Sequence, residues 1–198
     1  MMSRIRVIAF YGFMLMLALA VGGYQGALGD WLPGVESLPG DLACGLLAGL
    51  AVVALSRLAH HRFSWARRLS AEFQAILSRF RRRDALVIAA MSALGEELWF
   101  RGVLQGSFPD PLIGVILTAA VFAALHVGPS RVFVPWTVMA FVVGLMFGVL
   151  TWITGNLLAA VIAHGIINYL NLREILSEDD ADLYLGPLGH DRVIDEAL

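Results

Sequence analysis

The stretch Met91-Ser92-Ala93-Leu94-Gly95-Glu96-Glu97-Leu98-Trp99-Phe100-Arg101 lies inside a longer apolar run, residues 85–104, and carries two adjacent carboxylates and a guanidinium. In a water-exposed helix such charges would need no explanation. At the centre of a membrane helix each ionised residue costs about 2.5–3.5 kcal/mol on insertion scales. Whether this stretch lies in water or in lipid therefore decides the fold, and with it the purpose of the three side chains.

Composition points to lipid. Of 198 residues, 59% are apolar and 15% charged, and the mean hydropathy is +0.75. Soluble domains carry about 45–50% apolar and about 25% charged residues. The net charge of −2 gives no reason to expect a nucleic-acid partner. Every strongly basic residue is Arg, which fits a GC-rich bacterial coding bias. Cys44 is the single cysteine, so no intrachain disulfide is possible, and its apolar setting without a nearby His marks a structural thiol.

A spanning helix needs about 20 mostly apolar residues. Runs at about 5–28, 42–58, 85–104, 112–127, 134–153 and 156–172 give six spans. The first, flanked by Arg4 and Arg6, is longer than a signal-peptide core and is expected to remain as an anchor. Residues 29–41 form an acidic, turn-rich loop with Asp30, Glu36, Pro33 and Pro39. Residues 60–83 differ in texture. Arg62, Arg67, Arg68, Arg79 and Arg81 to Arg83 alternate with Trp65, Leu69, Phe73, Ile76 and Phe80 near helical spacing. That pattern predicts a basic amphipathic helix in the membrane interface, with a helix packed on its own protein as the rival. The expected fold is an all-α polytopic membrane helical bundle of about six transmembrane helices plus this interfacial helix. It forms a single membrane domain over 1–198, with a catalytic core at about 84–172. A tail follows over 173–198, a short helix and then disorder.

Arginine placement puts the N-terminus and the segment between spans two and three in the cytoplasm. Six spans then place both termini inside, in a bacterial cytoplasmic (inner) membrane. Gly22 with Gly26, Gly45 with Gly49 and Gly144 with Gly148 are four apart, a spacing that lets helix backbones approach closely. Internal packing is the default reading; oligomeric state is not readable.

Against this background the polar residues need partners or a purpose. Glu97 and Arg101 share a helix face and can pair. Glu96, about 100° round the helix, has no partner of its own. His126 closes the fourth span, and His164 and Asn168 share one face of the sixth. Glu96 can act as general base on a water that His126 helps hold. Glu97, kept ionised by Arg101, would orient Glu96. His164 and Asn168 can donate to a tetrahedral oxyanion, whose loss costs a factor of about a hundred or more. Together these are what amide hydrolysis requires.

The ordered set Glu96-Glu97-x-x-x-Arg101, Phe122-x-x-x-His126 and His164-x-x-x-Asn168 resembles the motifs of the CPBP family. That family comprises the CAAX prenyl endopeptidases and bacterial relatives linked to bacteriocin processing, immunity and C-terminal anchor sorting. The resemblance covers roughly residues 84–172. It implies a helical intramembrane protease without a cofactor, in which Glu96 and His126 activate water and His164 and Asn168 form the oxyanion hole. Its substrate would be a membrane-anchored or lipidated protein, met in the lipid bilayer.

Other readings stay open. Glu96, His126 and His164 could ligate zinc in a membrane metalloprotease, although no His-Glu-x-x-His pair exists and Asn168 would lack a role. Ser92 could hydrogen-bond Glu96, but no serine-nucleophile elbow surrounds it. A non-catalytic immunity or binding protein and a small-solute transporter complete the alternatives. One difficulty is geometric: with straight spans, His126 falls nearer the cytoplasm than Glu96, by a gap that could exceed about 10 Å.

Overall fold

Each apolar run becomes a helix, and turn residues mark where it stops. The computed structural model describes residues 4–177, and these contain helices and connecting turns but no strand. The disorder expected at the end of the tail lies outside the described residues. Helix α1 (Arg4–Gln25) ends at Gly26, whose φ of 72° is open to glycine. Helix α2 (Leu38–Arg62) starts at a proline turn, and α3 (Ser64–Leu77) follows at once through an extended Phe63. Helix α4 (Ala85–Glu97) continues as a π-helix, Leu98–Leu104. Helix α5 (Pro111–Leu125) is capped by Asp110, which accepts from the amides of Leu112 and Ile113. Helix α6 (Val134–Thr154) ends on the left-handed Gly155, and α7 is Leu158–Ile175.

The chain is thus an all-α helical membrane bundle. By length and composition α1, α2 and the stretch Arg131–Thr154 are apolar enough to cross a membrane. The other expected spans also form helices, but each departs from that pattern. Helix α5 has 15 residues, which makes it about 22 Å long, short of the roughly 30 Å hydrocarbon core. Helix α4 carries the two glutamates, and α7 carries His164, Asn168, Asn171 and Arg173. The helices that depart from the simple span are those that bear the candidate site.

Ion pairs fix which ends lie together. Arg4 Nη1 meets Asp84 Oδ1 at 3.2 Å, and Arg57 Nε meets Glu174 Oε2 at 3.4 Å. Val7, Phe80, Ala85 and Leu176 form one apolar cluster beside them. The start of α1, the end of α2, the start of α4 and the end of α7 therefore share one face of the bundle.

Helix α7 is central, packed against α2, α4 and α6. Gly45 and Gly49 make this possible: a Cβ there would come within 2.7 Å of the Ala159 carbonyl oxygen and 3.0 Å of the Ala163 carbonyl oxygen. Gly144 and Gly148 likewise serve internal packing, against Ala119 and Val115 of α5. The Gly22/Gly26 pair does not act as a helix contact. Gly22 is covered by Trp31 from the loop before α2, and Gly26 makes the turn. Trp31 inserts between α1 and the π-helix, where it also meets Gly102, and its carbonyl accepts from Leu157 N at 3.2 Å. The loop expected over 29–41 is accordingly shorter than its composition suggests. Helix α2 begins at Leu38 and buries Asp41 in its first turn, where an acid suits the helix dipole. Cys44 is exposed on α2, so it is not a core residue.

Helix α3 packs one face on its own protein. Ala66 and Leu69 are buried, and Phe73 packs edge-on against Phe133 and Trp136 at 5.2 and 5.1 Å between ring centroids. Phe63 and Trp65 stack at 6.0 Å on its outer side, beside exposed Arg62 and Arg68.

Candidate active site

Three helices bring the predicted residues to one point. Glu96 and Glu97 close α4, His126 caps α5, and His164 and Asn168 lie midway along α7. His126 Nε2 and His164 Nε2 stand 3.9 and 3.8 Å from the same atom, Glu96 Oε2. The depth gap inferred for His126 is closed because α5 is short. His126 leaves the helix as its cap, and its carbonyl accepts from Thr137 Oγ1 of α6 at 2.9 Å.

Both imidazoles are held by their other nitrogen. His126 Nδ1 lies 2.6 Å from the Phe122 carbonyl oxygen, which can only accept, so Nδ1 carries the proton. His164 Nδ1 lies 2.6 Å from Glu97 Oε1 and donates to it in the same way. Each ring therefore turns Nε2 toward Glu96. Aromatic rings fix the planes: Phe147 stacks on His164 at 4.9 Å, and Phe122 and Trp136 flank His126 at 4.1 and 4.9 Å.

Glu97 and Arg101 pair at 3.2 Å, with both side chains fully enclosed. Arg101 also donates from Nη2 to the Gly144 carbonyl at 2.9 Å, and one turn on Gln105 donates to the Gly148 carbonyl at 3.0 Å. A Cβ at Gly144 would come within 3.4 Å of Arg101 Nη2, and one at Gly148 within 2.9 Å of Gln105 Oε1. The segment bearing Arg101 and ending beside Gln105 is the π-helix, a form often found at functional sites. The expected orientation of Glu96 by Glu97 is replaced by a different link, since Glu97 binds His164. Ser92 likewise does not hold Glu96. Its hydroxyl accepts from Asn168 Nδ2 at 2.9 Å and donates to the Ala89 carbonyl at 3.2 Å. One Asn168 N–H is thereby engaged, and the second is free to serve a ligand.

Glu96, His126, His164 and Asn168 line a cavity of about 430 Å³ whose apolar walls include Val52, Leu69, Phe73, Val143 and Phe147. Helix α3 supplies one side of it, a function its amphipathic pattern did not disclose. Tyr11 of α1 lines the same cavity as Glu96. Nothing in the sequence distinguished this tyrosine from an ordinary membrane aromatic. Among the described residues no group of three His, Cys, Asp or Glu side chains has an arrangement able to hold a metal ion.

Fold and site together define a helical membrane protein with an enclosed carboxylate–imidazole cluster. Residues 81–170 match the family model described as type II CAAX prenyl endopeptidase, Rce1-like. That match agrees with the resemblance to the CPBP motifs, and it contains all six predicted site residues. Helices α1 to α3 lie outside the match. No curated protein and no solved structure matches the chain.

Proposed function

We propose that the protein is a glutamate-type intramembrane endopeptidase that hydrolyses a peptide bond of a membrane-anchored or lipidated protein. The observation that carries this reading is the convergence of two Nε2 atoms on Glu96 Oε2, at 3.8 and 3.9 Å. These distances exceed a direct hydrogen bond and match groups that share a third atom between them. A water held there donates one proton toward Glu96 and one toward His126, leaving a lone pair for the scissile carbonyl. Glu96 takes the proton as attack proceeds and passes it to the leaving amine.

The oxyanion falls to His164 and Asn168. His164 donates through Nε2 only with both ring nitrogens protonated, its Nδ1 being hydrogen-bonded to Glu97 Oε1. Asn168 contributes the N–H not used by Ser92. Arg101 pairs with Glu97 and fixes it, so both act through His164 and not on substrate.

The reading needs no metal. Its rival, zinc on Glu96, His126 and His164, draws support from the way both imidazoles are anchored through Nδ1 to oxygen acceptors, as zinc-bound histidines are. Stoichiometric zinc in the purified protein, with activity lost to a chelator, would establish the rival. The expected result is full activity after chelation.

We place the protein in a bacterial cytoplasmic membrane, where it processes or sorts proteins with a membrane-embedded C-terminal segment. The arginines of residues 60–83 and of the N-terminus support cytoplasmic placement of the shared face. Reporter fusions at residue 78 and at the C-terminus should both report the cytoplasm. The direct test of function compares membrane and secreted proteins of a Glu96→Gln strain with wild type. Uncleaved precursors should accumulate; identical profiles would refute the protease reading.

A further inference from the structure

We infer that Tyr11 of α1 is a positioning residue for Glu96, its hydroxyl holding the carboxylate so that Oε2 faces His126 and His164. The kinetic consequence rests on the endopeptidase reading above, whereas the hydrogen bond itself does not. Helix α1 lies against α4 and the π-helix. The approach is closest next to Glu96: a Cβ on Gly95 would come within 3.2 Å of the Tyr11 carbonyl oxygen and 3.4 Å of its ring Cδ1. Glycine at 95 thus lets the tyrosine ring lie along α4 beside Glu96, and both side chains line the same cavity. Phe10 packs edge-on against the ring at 5.2 Å between centroids.

Glu96 needs such a support. His126 and His164 stand too far from Oε2 for direct hydrogen bonds, and Oε2 has no other partner among the described residues. A carboxylate on a flexible chain would sample many orientations unless another group fixed it. Tyrosine does this at low entropic cost, having only two side-chain torsions, and a buried hydroxyl needs an acceptor in any case. The helix outside the family match thereby contributes to the site.

Tyr11→Phe removes the hydroxyl and leaves the ring. With the protein in lipid nanodiscs, the infrared difference between wild type and Glu96→Gln isolates the Glu96 carboxyl bands. Tyr11→Phe should shift those bands; unshifted bands would overturn the inference whether or not a substrate is known. Turnover is then followed on a quenched fluorescent peptide with a prenylated cysteine near its C-terminus. Tyr11→Phe should lower kcat about tenfold, the worth of one hydrogen bond to a charged group, with KM and melting temperature unchanged. Wild-type kcat in Tyr11→Phe would also overturn it. A wild-type protein no more active than Glu96→Gln would count against the protease reading instead, and the infrared result would still decide the role of Tyr11.

Discussion

Two buried polar clusters lie in this bundle, and they are closed to different degrees. At one end Asn156 donates to Asp41 Oδ2 at 2.8 Å and to the Thr154 carbonyl at 3.1 Å, and its Oδ1 accepts from Leu158 N at 2.9 Å. Neither residue keeps an unpartnered buried atom. Further along α7, Glu96 Oε2, Glu97 Oε2 and Arg101 Nε make no hydrogen bond among the described residues, and Glu96 faces a cavity. Buried polar groups are normally satisfied, and an exception calls for an explanation. The first cluster ties α2 to the α6–α7 turn. The second has capacity left over for a reaction partner.

The contrast can be broken experimentally. Glu96→Gln should lower kcat by about a hundredfold to ten-thousandfold, the usual share of a general base, without lowering the melting temperature. Normal turnover in that variant would remove the functional half of the comparison. Arg101→Met leaves Glu97 buried without its charge partner and should cost about 3–5 kcal/mol of stability, read by unfolding in detergent. A loss below about 1 kcal/mol would mean that the pair is not charged in the folded state. Asn156→Ala should destabilise by about 1–3 kcal/mol by stranding Asp41, yet leave kcat per folded molecule intact. A fall in kcat there would join the two clusters that the comparison separates. Ser92→Ala, which releases one Asn168 N–H, should reduce kcat about three- to tenfold at constant KM, the worth of a single neutral hydrogen bond.

The sequence disclosed the helices well and their contacts unevenly. Hydropathy located every apolar helix, because lipid leaves the backbone little alternative. It placed the start of α2 too late, since Pro39, Gly40 and Asp41 have loop composition yet form a first helical turn. The site's membership was legible because Glu96, Glu97, His126, His164 and Asn168 are costly in an apolar setting and had to be explained. Their pairing was less so. Spacing four apart joined Glu97 to Arg101, but the link from Glu97 to His164 spans 67 positions and has no local signal. The π-helix was invisible because a bond to the fifth residue follows from tertiary contacts such as Arg101 with Gly144. Tyr11 was missed for the opposite reason: a tyrosine in a membrane helix is common.

The ion pair between Glu97 and Arg101 also bears on how the protein is made. Its partners are four residues apart, so they meet as soon as that helix forms and can enter the bilayer as a neutral unit. His164 is not yet synthesised at that moment, and neither are Gly144 and Asn168. During synthesis Glu96 therefore reaches the membrane before the groups that surround it in the folded bundle, and on the endopeptidase reading no hydrolysis is possible until α7 inserts. On that reading folding order is itself a safeguard, because a nascent chain could not cut its neighbours before α7 is in place.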